Sequence, residues 1–101
     1  MNKKLKQFNY KIYGEERNII MELKDTVELM NSADFKERFK AEYYQLQTRI
    51  EGLRAMLEKY KNGTLNFTPN SPYELLFTQL VYMELYLDKL EERAKIEKIE
   101  L

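Results

Sequence analysis

The sequence has no cysteine, no histidine and no tryptophan, and only three glycines and two prolines in 101 residues. Missing thiols and imidazoles exclude disulfides, Cys- or His-ligated zinc, Ser-His-Asp triads and histidine acid–base chemistry together. Scarce Gly and Pro leave few turn signals, so long helices are expected. Charge of one sign is missing too: seventeen Lys and Arg balance seventeen Asp and Glu. A dedicated duplex-DNA binder usually carries a basic excess, so that function is set aside. No apolar run is long enough to span a membrane. The start MNKKLKQFNYKIYG is basic but lacks the apolar segment of a secretory signal. The expectation is one small intracellular domain with neither cofactor nor metal.

A chain of this size buries roughly two-thirds of its unfolded surface, a thin margin that favours self-association. Residues 1–14 read as a basic and aromatic arm, carrying Lys3, Lys4, Lys6, Phe8, Tyr10, Lys11 and Tyr13. Alternation across Phe8, Tyr10 and Ile12 suits a short extended segment as well as a helix. The remainder, 15–101, reads as a single helical domain. Ile19, Ile20, Leu23, Val27 and Met30 recur every three to four residues and predict an amphipathic helix over about 15–31.

Asp34 followed by Glu37 has capping-box spacing and opens a second helix over about 34–62. Its positions Phe39, Tyr43, Leu46, Ile50, Leu53, Leu57 and Tyr60 form a strict heptad seam. Gly63 supplies a left-handed stop. Ser71 as cap, Pro72 at the first helical position and Glu74 then start a third helix over about 71–96. Its seam is Tyr73, Leu76, Leu80, Met83, Leu87, Leu90 and Ala94. A short loop between long helices makes them antiparallel neighbours. The fold class is therefore all-α: an antiparallel two-helix hairpin with an additional N-terminal helix.

Pairing Leu53 with Met83 fixes a register. Arg54 then meets Glu84 and Gln47 meets Glu91 on one side, while Glu42 meets Arg93, Arg49 meets Tyr86 and Met56 meets Gln79 on the other. Opposite charges face each other twice and like charges never do. The third helix also carries Leu75, Phe77, Val81, Tyr82, Leu85 and Tyr86 off its seam. A helix apolar nearly all round is buried nearly all round, and a second copy is the natural cover. A homo-oligomer is expected.

Glu37, Glu42, Glu51 and Glu58 are the acids a carboxylate site would draw on, but a di-iron site of Glu-x-x-His type has no His to use. These acids, and Arg38, Arg49, Arg54, Lys59 and Lys61, read as a solvated helix surface. No enzyme is expected. The constellation that stands out is aromatic plus guanidinium: eight Tyr with no Trp. Tyr offers a face for stacking and a hydroxyl; Arg offers a fork for phosphate. Gln79, Tyr86 and Arg93, seven apart, share an edge with Arg49, and Tyr43 and Tyr44 supply further rings. The candidate ligand-binding set is Tyr43, Tyr44, Arg49, Gln79, Tyr86 and Arg93. The plain alternative is that these groups only set helix register.

The stretches DFKERFKAEYYQLQTRIEGLRAML (34–57) and SPYELLFTQLVYMELYLDKLEERAKIEKIEL (71–101) resemble a family of small phage and prophage helical-hairpin proteins labelled as crAss-like-phage related. The resemblance covers residues 34–101 and rests on Gln79, Met83, Tyr86, Leu90, Arg93 and the closing Ile99, Glu100 and Leu101. The architecture is similar to phage anti-CBASS sponges, which hold cyclic-nucleotide signals between subunits. What the resemblance implies is a counter-defence protein in the host cytoplasm that binds a nucleotide immune messenger, a cyclic oligonucleotide or an ADP-ribose derivative, without cleaving it. Its partners would be itself and that signal. The alternatives are a protein-binding inhibitor of a host defence factor, such as an anti-CRISPR, and a structural accessory of phage assembly.

Overall fold

The computed structural model describes the backbone of residues 8–12 and 15–19 and all of residues 21–101. Strands β1 (Phe8–Ile12) and β2 (Glu15–Ile19) pair antiparallel, with Tyr10 opposite Arg17. The arm residues Lys3, Lys4, Lys6 and Tyr13 lie outside the described residues. A 3-10 turn, Leu23–Thr26, then runs into the single-turn helix α1 (Val27–Met30). Two long helices follow, α2 (Phe35–Asn62) and α3 (Tyr73–Glu97). Among the described residues no helix is long and apolar enough to cross a membrane.

The helix expected over 15–31 is corrected by this arrangement. Its first third is strand β2, and only residues 23–30 are helical. The stripe that predicted it is not a buried face either: Leu23, Val27 and Met30 are exposed. Tertiary contacts overrode the periodicity. The Thr48 hydroxyl donates to the Met21 carbonyl at 2.8 Å, which holds that carbonyl out of any helical ladder. Helical structure then starts at a fresh boundary, a capping box in which the Asp25 side chain accepts from the Glu22 backbone N–H. Thr26, fully buried, donates to the Leu23 carbonyl and accepts from the Gln45 amide. The segment 21–30 therefore packs along one side of α2 through Met21, Thr26 and Leu29.

α2 begins at the expected cap, where the Asp34 carboxylate accepts from the Lys36 N–H at 2.9 Å, but the Asp34 N–H donates to the Ser32 hydroxyl and not to Glu37. It ends at Gly63 in the left-handed region, φ 77°, where the Gly63 N–H closes on the Tyr60 carbonyl. α3 starts one residue later than expected, at Tyr73. Pro72, not Ser71, is the cap, and no side chain caps the helix. At the other end Lys98 turns left-handed, φ 58°, so that the Ile99 N–H reaches the Ala94 carbonyl and the Ile99 side chain is buried.

Three contacts set the relation of α2 to α3. The Tyr43 hydroxyl donates to the Glu91 carboxylate at 2.9 Å, Arg54 pairs with Glu84, and the Tyr60 and Tyr73 rings meet edge to face at 5.5 Å. Rising positions on α2 thus meet falling positions on α3, so the two helices run antiparallel. Phe39, Tyr43, Leu46, Ile50 and Leu57 of the α2 seam are buried against Leu80, Leu90 and Ala94 of α3. Ala41 and Tyr44 are a second buried side of α2, and helical spacing puts them on the side from which Gln45 and Thr48 bond to segment 21–30. α3 buries only its seam: Leu75, Tyr82 and Leu85 are more than half exposed, Tyr82 at 66%.

Candidate functional site

Seven-residue spacing places Gln79, Tyr86 and Arg93 on one edge of α3, and the antiparallel packing brings Glu42 of α2 to the same edge. The Tyr86 hydroxyl donates to the Glu42 carboxylate across the two helices. Arg93 turns along its own helix instead: Nε donates to Glu97 at 3.0 Å, and the guanidinium lies 4.8 Å above the Phe39 ring. That cation–π contact fixes the head of an otherwise flexible side chain. Arg49 is exposed on α2. Gln79 sits with its amide 3.8 Å from the Met83 sulfur.

The electrostatics of the edge follow from these contacts. The bond to Glu42 holds the Tyr86 phenol above its ordinary value, and burial and the Glu42 charge push the same way against Arg93. Glu97, chiefly through its hydrogen bond, raises the Arg93 guanidinium, and the Glu42 charge adds to the effect. Tyr86 is therefore a committed hydrogen-bond donor and Arg93 a permanent cation, each tied to an acid. A phosphate arriving here would compete with Glu42 and Glu97 for them.

Tyr43 and Tyr44 occupy a different environment from the rest of the candidate set. Both are buried, with rings edge to face at 5.2 Å, and burial raises the Tyr44 phenol. Neither offers a free face at the surface of this chain. The structure thus aligns Gln79, Tyr86 and Arg93 on one edge, with Gln79 and Arg93 about 21 Å apart along α3, and keeps Tyr43 and Tyr44 in the core. Tyr44 is off the heptad seam and is buried nonetheless.

A hollow of about 400 Å³ opens beside Gln79, Met83 and Tyr86, with Leu75, Thr78 and Tyr82 completing it. All six residues belong to α3, so the hollow has a floor and no opposing wall. A second hollow of about 430 Å³ lies where the last turns of α2 face the start of α3. Tyr73 and Phe77 stack beside it, their rings 12° from parallel. Sequence reasoning missed it because Tyr73 was taken up by the seam and Arg54 by the surface. In fact Arg54 and Glu51 are both buried, with their side chains paired at 3.3 Å. Among the described residues no group of His, Cys, Asp and Glu side chains is placed to hold a metal ion.

No curated protein and no solved structure matches the chain. The family model described as Sequestin matches residues 33–96, well over half of the 101 residues and nearly all of α2 and α3. The match covers the helices that carry the Tyr86–Arg93 edge and stops before Ile99. The chain belongs to the Sequestin family.

Proposed function

We propose that this protein is a phage-encoded sponge: it binds a nucleotide immune messenger, one to one per site, and holds it unchanged. The observation that carries the reading is an exposed tyrosine ring and a guanidinium on one edge, Tyr86 and Arg93, in a chain whose family name speaks of sequestration. Tyr86 would stack a base, Arg93 and Arg49 would neutralise phosphate, and Gln79 would read a polar edge. The messenger would be a cyclic oligonucleotide or an ADP-ribose derivative, met in the host cytoplasm. No role in bond cleavage is assigned to any residue.

A second copy of the chain would complete the site. The hollow beside Tyr86 is walled by α3 alone, and the apolar surface around it, Leu75, Tyr82 and Leu85, stays in water in one chain. Facing two such helices would cover both and enclose a ligand between them. The same exposed face supports a second reading, a protein-binding inhibitor of a host defence factor that docks through α3.

Equilibrium dialysis against cyclic di- and trinucleotides and ADP-ribose derivatives separates these readings. Sequestration predicts uptake of one ligand class and full recovery of that ligand, chemically intact, when the protein is heat-denatured. Recovery of a cleaved product would make the protein an enzyme. Indifference to every nucleotide, together with a one-to-one complex with a host protein, would establish the inhibitor.

A further inference from the structure

The hollow between the end of α2 and the start of α3 lies on the opposite side of α3 from the Tyr86–Arg93 edge. Tyr73, Phe77 and Leu80 recur along one face, Leu75, Gln79, Tyr82 and Tyr86 along another, and an offset of two residues is roughly 200° around a helix. We propose that this hollow is a seat for an uncharged, planar nitrogen heterocycle of the nucleobase type. The proposal does not rest on the sequestration reading, and each can fail without the other.

Shape is the first argument. The floor is Leu57 and Leu80, 3% and 2% exposed, so it is a dry, fixed surface. Beside it the Tyr73 and Phe77 rings lie nearly parallel, centroids 6.1 Å apart, and Phe77 keeps 44% of its surface exposed. Tyr60 meets Tyr73 edge to face from behind and holds that ring in place. A flat ring laid against Phe77 would bury aromatic surface that the chain itself leaves wet. The volume of about 430 Å³ falls within the roughly 300–1,000 Å³ range of small-molecule pockets.

Charge is the second argument, and it selects against an anion. Arg54 lines the hollow, but its guanidinium is answered by Glu51 at 3.3 Å and by Glu84. Among the described residues, the remaining charged groups at the rim are Glu58 and Lys61, one of each sign. Both stand in the closing turns of α2, where the helix dipole presents its negative end. Among the described residues the rim charges balance and the helix end is negative, so a phosphate meets no net attraction here, whereas a neutral ring has nothing to repel it. Asn62 completes the rim with an amide that carries both a donor and an acceptor, the pair needed to read a base edge.

The probes are adenosine, guanosine, cytidine and uridine, titrated into isotope-labelled protein and followed by NMR. The proposal predicts saturable shifts at Tyr73, Phe77 and Asn62 with at least one of them, and none at Tyr86 or Arg93. Adding a phosphate to that nucleoside should leave its affinity at this seat unchanged. Phe77→Ala, at a half-exposed position, should weaken it about tenfold by removing one stacking face. Asn62→Ala on the exposed last turn gives an independent variant with loss in the same direction, and Arg93→Ala should bind the nucleoside as wild type does. Silence with all four nucleosides, shifts confined to the Tyr86 edge, or full binding by both variants would overturn the proposal.

Discussion

The Tyr86 hydroxyl donates to the Glu42 carboxylate from the neighbouring helix, so the exposed tyrosine of the candidate set is tied to an acid before any ligand arrives. An incoming phosphate must displace or tolerate that acid. Glu42→Gln keeps a hydrogen-bond acceptor and removes the charge. The expected outcome is tighter binding of an anionic nucleotide by a few-fold, on the scale of about 1 kcal/mol for an exposed charge. Calorimetric titration checks it, and weaker binding by the variant would place the ligand elsewhere.

Glu51 makes a prediction of opposite sign to most carboxylates. Burial raises its carboxyl above the ordinary value, and the Arg54 charge only partly opposes this. A folded carboxyl that holds its proton more tightly than the unfolded one disfavours folding once it is ionised. That cost disappears as pH falls through the raised value, and it is fully present above it. Glu51→Gln removes the titration. The variant should therefore gain stability relative to wild type as pH rises from about 4 to about 7, a range that spans carboxyl titration. Denaturant unfolding at several pH values measures it, and a variant that loses ground over that range would show that the Arg54 pairing outweighs desolvation.

Helix ends and core give a third set of outcomes. Asp34→Ala removes the bond to the Lys36 N–H and should cost about 1 kcal/mol. Gly63→Ala meets no atom within 4 Å, so its cost is purely the left-handed backbone at φ 77°, about 1–2 kcal/mol. Leu90→Ala, at 2% exposure, opens a cavity between α2 and α3 and should cost about 2–5 kcal/mol. Chemical denaturation ranks the three, and the core variant is expected to be the most damaging.

What the sequence made legible follows from where local and tertiary signals agree. α2 and α3 carry heptad seams, an Asp34 cap and a Gly63 stop, and they form within two residues of the expected bounds. The register placed Arg54 against Glu84, and that pair is present. Residues 15–31 defeated the same reasoning, because the Thr48–Met21 bond and the buried Thr26 are contacts with α2 that no periodicity within the segment encodes. Tyr44 and Glu51 were misjudged for a related reason: both are off the α2 seam, and both are buried nonetheless. On the candidate edge, the spacing of Gln79, Tyr86 and Arg93 was readable. The choice of partners was not, since Arg93 takes Glu97 on its own helix and leaves Glu42 to Tyr86.

Thermal unfolding of the purified protein with cyclic di- and trinucleotides and ADP-ribose derivatives tests sequestration most directly. A ligand bound to the folded state at a hundred times its dissociation constant adds about 2.7 kcal/mol of stability. For a domain of this size that is a rise in Tm on the order of ten degrees. The account predicts such a rise with one ligand class, lost in Arg93→Ala, whose own Tm without ligand stays close to wild type. A flat response across the panel, or an undiminished rise in the variant, would contradict it.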